Sequence, residues 1–185
     1  MNVKIKNKKL HIYLDDARFA EKQEKYYYNG HKMKVSRYGN TSITAYITYK
    51  SLRGIEIRGE KGLTCNDPIN ADRFKLKVYG ENEITVASLQ TKRFKASIFG
   101  TNKVKINEGA VEHQIYRLFG ENTIDTENLK SITTSSRIYG EGQLTVNANE
   151  ELKLTAFGDP EIRLAGPATI NKSLILGDPE IKVKR

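Results

Sequence analysis

Hydrophobic and polar residues alternate along most of the chain, and about every twenty residues a glycine resets the alternation. These glycines are Gly39, Gly59, Gly80, Gly100, Gly120, Gly140, Gly158 and Gly177, at intervals of 20, 21, 20, 20, 20, 18 and 19 residues. The position four residues after each glycine is aliphatic in all eight copies, from Ile43 and Leu63 through to Ile162 and Ile181. The position two before it is apolar in seven of the eight, the exception being Arg37. Columns at even offsets on both sides of a glycine carry a period of two, so each copy predicts strand, tight turn, strand. Glycine at this density excludes a helix, and a 3.6-residue period fits none of the columns.

Twenty residues are too few for a strand–helix–strand unit but enough for one coil of a parallel β-solenoid, in which each residue pairs with its equivalent one coil on. Eight coils at ~4.8 Å would stack to roughly 35–40 Å. The turns suit this reading. Gly80-Glu81-Asn82, Gly100-Thr101-Asn102 and Gly120-Glu121-Asn122 place glycine and asparagine where unusual φ values are expected, and Gly158-Asp159-Pro160 and Gly177-Asp178-Pro179 use proline to preset φ. Residues 1–36 follow another pattern. Val3, Ile5, Leu10, Ile12 and Leu14 alternate around Asn7-Lys8-Lys9, predicting a hairpin, and Tyr26-Tyr27-Tyr28 leads to Asn29-Gly30, a second hairpin signal. Residues 17–25 are polar and predict a loop or a short helical turn. The expectation is one all-β domain, with 37–185 as solenoid repeats and 1–36 as a hairpin cap over the open strand edge.

Composition adds bounds. The chain has 185 residues, 38% hydrophobic, with ten Tyr and six Phe, enough for one sizeable core and inconsistent with a disordered tail. The net charge of +9 is concentrated at the start. Residues 1–37 hold ten Lys/Arg against four Asp/Glu, and residues 38–185 hold 21 against 18. No basic groove along the repeats is expected from that count, and no nucleic-acid partner. No stretch approaches the ~20 apolar residues of a membrane span. Met1–Lys6 lacks the apolar core of a signal peptide, which leaves a cytoplasmic protein or an export signal upstream of Met1.

The candidate binding residues form the column just before each glycine: Tyr38, Tyr79, Phe99, Phe119, Tyr139 and Phe157, with Arg58 and Leu176 in the same column. Their odd offset sets them opposite the aliphatic core. They predict first a ladder of stacked rings and, compatibly with it, an aromatic stripe for a glycan, a protein partner or another protomer. One residue after the glycines runs an acidic column, including Glu81, Glu121, Glu141, Asp159 and Asp178, expected to be solvated turn tips and not a metal site. The histidines are scattered, with His113 expected in a solvated loop, and Cys65 occupies an inward column as a buried inert thiol. Lys75, Lys77, Arg93 and Lys95 make a small basic patch with no carboxylate pair matched to it. No nucleophile elbow, phosphate loop, cofactor motif or metal-ligand spacing is present, so no enzyme is expected.

The repeated unit Val78-Tyr79-Gly80-Glu81-Asn82-Glu83-Ile84, the opening Leu10-His11-Ile12-Tyr13-Leu14, the Ala45–Tyr49 segment and the closing Ser173–Lys182 together resemble the auto-transporter adhesin head domain family, the GIN-domain proteins. The turns depart from that family's usual Gly-Ser-Gly, keeping a second glycine only at Gly62 and Gly142. The resemblance implies a right-handed β-helix, export from a Gram-negative bacterium and a role in adhesion or ligand binding at the cell surface. It also implies a cell-surface protein or glycan as partner and, by analogy, a homotrimer. A self-assembling, bactofilin-like structural solenoid is the alternative, and a carbohydrate-active β-helix enzyme comes third.

Overall fold

The computed structural model describes residues 1–15, 23–36 and 43–184, and among these every regular element is a β-strand. They fall into two compact units, Met1–Thr48 and Tyr49–Arg185. The first holds two antiparallel hairpins. Strands β1 (Asn2–Lys6) and β2 (Lys9–Tyr13) join through Asn7 and Lys8, whose φ values of 52° and 60° are those of a tight hairpin turn. Strands β3 (Gln23–Tyr28) and β4 (His31–Ser36) join at Asn29-Gly30 in the same way. Residues 23–25 thus belong to a strand and not to the loop or helical turn expected over 17–25.

The second unit is a parallel solenoid. Strands β5 (Gly54–Cys65), β6 (Ile69–Phe119), β7 (Asn122–Tyr139), β8 (Gly142–Phe157), β9 (Glu161–Ala165), β10 (Thr169–Leu176) and β11 (Glu180–Lys184) form one sheet that winds around the core. β6 alone runs for 51 residues, because inter-coil pairing continues around its corners. Seven coils, centred on Gly59, Gly80, Gly100, Gly120, Gly140, Gly158 and Gly177, are described; the eighth glycine of the repeat, Gly39, lies outside the described residues. They are numbered coils 1 to 7 below.

The register follows the apolar columns. Ile57 pairs with Val78, Leu118 with Ile138, Ile138 with Ala156, and Ala156 with Ile175. Beyond the glycine, Leu63 pairs with Ile84, Val104 with Ile124, Ile124 with Leu144, Leu144 with Ile162, and Ile162 with Ile181. A coil can bury its inward residues only against the coils above and below, so like sits on like. The turn glycines share φ between 94° and 123°. At Gly100 a Cβ would lie 2.2 Å from the Gly80 carbonyl oxygen, and from Gly80 onward the column leaves no room for a side chain.

In coils 4 and 5 the core changes character. Gln114, Tyr116, Thr126, Thr134 and Ser136 stand at inward positions and are buried. Tyr116 donates to Gln114 Oε1 at 2.8 Å and lies 2.9 Å from Thr126 Oγ1, which donates to the Thr145 carbonyl at 2.8 Å. Gln114 Nε2 reaches the Leu129 carbonyl at 2.9 Å. With its polar atoms satisfied, the cluster avoids the desolvation penalty that unpartnered groups would carry.

Candidate functional site

The outer positions beside the turn build the candidate site. Strand alternation points Tyr79, Phe99, Phe119, Tyr139 and Phe157 away from the core, and parallel in-register pairing sets each above the last. The rings stack continuously, with centroids 5.0, 4.7, 4.7 and 4.6 Å apart and planes within 7° of parallel. That spacing is the inter-coil distance itself, so the β-sheet imposes the stack. Arg58 closes the coil 1 end, its guanidinium 4.4 Å from the Tyr79 ring centroid, a cation–π contact. Leu176 pairs with Phe157 in the sheet and occupies the column at the other end. Tyr38, the remaining residue expected in this column, lies outside the described residues.

Geometry settles which part of each ring meets solvent. The faces cover one another, while the rings stay half-buried and Tyr139 is 37% exposed. The column therefore presents ring edges and tyrosine hydroxyls. Ring edges carry the positive end of the aromatic quadrupole.

Behind the rings, two residues past each glycine, lies a feature that turn chemistry alone misjudges. Asn82, Asn102 and Asn122 do not take positive φ; the glycine before each absorbs the turn. Their side chains point inward, buried, in a ladder: Asn82 Nδ2 donates to Asn102 Oδ1 at 2.9 Å and Asn102 Nδ2 to Asn122 Oδ1 at 3.0 Å. Each also donates to the carbonyl of the aromatic residue three before it, at 3.1–3.2 Å. The ladder thereby ties the backbone under Tyr79, Phe99 and Phe119. Identical asparagines at a spacing of twenty were the signal for it, visible once the coil is the unit of comparison. At its start, Asn82 Oδ1 accepts no hydrogen bond from the described residues, because coil 1 has Lys61 at the paired position.

The other candidates are placed as follows. His113 is not in a solvated loop but half-buried within β6, its Nδ1 2.8 Å from Thr133 Oγ1 one coil on. Cys65 packs against the core but is only half-buried, with Sγ 3.3 Å from the Tyr49 hydroxyl. Burial first, then that contact and the nearby negative charges of Cys65 and Asp67, push Tyr49 up to about 12. The acidic column is exposed at the turns, yet Asp159 does more than meet solvent: its Oδ1 accepts the Asp178 backbone N–H at 2.7 Å. Among the described residues no cluster of three His, Cys, Asp or Glu could hold a metal ion.

Residues 1–168 match the family model described as "Putative auto-transporter adhesin, head GIN domain". The chain belongs to this family. No curated protein and no solved structure matches it significantly. GIN-domain membership and the solenoid fold together fit a surface, adhesin-like protein. Among the described residues no helix is long and apolar enough to cross a membrane. Coil 7, from Thr169 onward, lies beyond the stretch that the GIN-domain model covers, although its β10 and β11 continue the pairing of β8 and β9.

Proposed function

We propose that this GIN domain is a non-catalytic attachment module, exported in a Gram-negative bacterium, that binds a cell-surface protein or glycan through the outer face bearing Tyr79, Phe99, Phe119, Tyr139 and Phe157. The supporting observation is the ring column itself, continuous over five coils with its edges open to solvent. A long semi-exposed aromatic surface on a rigid scaffold is the kind of patch that contacts partners. Rigidity matters because side chains held by the sheet lose little freedom on binding.

Leucine is the informative substitution, because Leu176 already occupies this column. Purified protein on beads, presented to bacterial or host cell-surface fractions, should attach. The variant carrying Tyr79→Leu, Phe99→Leu, Phe119→Leu and Tyr139→Leu should lose attachment by about tenfold or more while urea unfolding stays cooperative. Attachment equal to wild type in a folded variant would remove the column as the site. Turnover of any polysaccharide by the wild-type chain would contradict the non-catalytic reading.

A further inference from the structure

The two sheet faces that meet at the turn carry opposite charge. On the strand after each glycine the outward residues include Glu81, Glu121, Asp125, Glu141, Glu161 and Glu180. Most cations there are paired: Lys105 with Asp125 at 3.5 Å, Arg163 with Glu161 at 3.0 Å, Lys182 with Glu161 and Glu180 at 2.7 and 3.0 Å, and Lys184 with Glu127; Lys103 alone among them makes no ion pair with a described residue. The strand before each glycine shows the reverse. Its outward residues include Lys75, Lys77, Lys95, Arg117, Arg137 and Lys153, against two carboxylates, Glu56 and Glu151. Both carboxylates are engaged, Glu56 with Arg58 at 2.7 Å and Lys77 at 3.8 Å, and Glu151 with Asn171 at 3.2 Å. Lys75, Lys95, Arg117, Arg137 and Lys153 form no ion pair with any described residue.

These cations are crowded. Arg117 pairs with Arg137 in the sheet, and Lys75 and Lys95 hold the same position of coils 2 and 3, ~4.8 Å apart along the axis. The pKa of Lys95 is lowered, first by Arg117, then by burial, then by Lys75 and Lys77. Positive charge gathered on one face without local compensation is complementary to an anionic partner. The adjoining ring edges add to the same sign.

We infer that the face before the turn binds an acidic glycan, with its carboxylate or sulfate groups along Lys75, Lys77, Lys95, Arg117 and Arg137 and the ring edges of the aromatic column beside them. This deepens the attachment reading and rests on it. The ring geometry selects among polyanions. Single-stranded nucleic acid stacks its bases on free aromatic faces, and here each face is covered by the next ring. A neutral sugar stacked on a ring meets the same obstacle. An acidic glycan needs only ordered cations and ring edges.

The test uses the whole chain and calorimetric titration with polygalacturonate, heparin, neutral dextran and a single-stranded oligonucleotide. Two triple variants remove equal charge from opposite faces: K75Q/K95Q/R117Q before the turn and K103Q/K105Q/R163Q after it. Expected is binding of at least one acidic glycan but not dextran, weakened on the order of tenfold or more from 50 to 200 mM salt. The first variant should lose tenfold or more in affinity and the second should stay near wild type, both with wild-type melting profiles. Equal losses in the two variants would mean net charge alone and would overturn the assignment, as would tighter binding of the oligonucleotide or no binding of either acidic glycan. If no acidic glycan binds but attachment still depends on the rings, this inference fails and the attachment reading survives. If acidic glycans bind the basic columns while the leucine variant attaches normally, the ring column fails instead.

Discussion

A side chain at Gly100 would meet two obstacles at once. The φ of 106° is strained for any L residue, and the space a Cβ needs holds the Gly80 carbonyl oxygen. Gly62, in coil 1, has a Cβ position with nothing within 4 Å. Gly100→Ala should therefore destabilise by roughly 3 kcal/mol or more, while Gly62→Ala should change stability by about 0.5 kcal/mol or less, both read from urea midpoints at constant slope. Tyr49 makes a residue-scale prediction of a different kind. Its hydroxyl ionises at about 12 when folded and near 10.0 when exposed. Because the folded value is the higher, its contribution is present in full below pH 10 and is lost as pH rises from 10 towards 12. Unfolding followed between pH 8 and 12 should show a steeper alkaline loss for wild type than for Tyr49→Phe, and superimposable limbs would contradict the raised ionisation of the Tyr49 hydroxyl.

Elements are stabilised here by columns more than by individual coils. Each aromatic pair adds about 0.5–1.5 kcal/mol beyond its buried area, and each ladder asparagine links two coils while holding the carbonyl of the ring behind it. Asn102→Leu removes the donor to the Phe99 carbonyl and to Asn122 Oδ1, and one of the two acceptors of Asn82 Nδ2. The expected cost is about 3 kcal/mol, because buried polar groups are left unsatisfied. The opposite change is available at the ladder's start. Lys61→Asn would place an amide donor opposite the unsatisfied Asn82 Oδ1 and should stabilise by about 1 kcal/mol in thermal or urea unfolding. A loss of stability in Lys61→Asn would show that the ladder does not extend into coil 1. The polar cluster around Tyr116 works across coils in the same way, since Thr126 and Ser131 donate to the carbonyls of Thr145 and Asn147 in the next coil.

Over the whole molecule, the near balance of 21 basic and 18 acidic residues in 38–185 concealed an asymmetry. The count averaged two outward faces of opposite sign, so a basic surface does run along the repeats, correcting the expectation drawn from segment totals. Alternating polarity and recurrent glycines were sufficient by themselves for the parallel solenoid, for its register and for the ring column from Tyr79 to Phe157. Those properties follow from a period of two and a coil of about twenty, both carried by local residue order. Other properties depend on what lies one coil away. The asparagine amides turn inward because a partner amide sits at hydrogen-bonding distance in the next coil, which residue order alone cannot supply. Local order around His113 looks like a loop because the inter-coil pairing that makes it strand involves Thr133, twenty residues on. Ring faces are covered and ring edges exposed because the sheet sets coils ~4.8 Å apart, a centroid separation at which parallel rings stack offset on one another. Local sequence therefore determined which side chains form each column, and inter-coil stacking decided which surface of each column faces solvent.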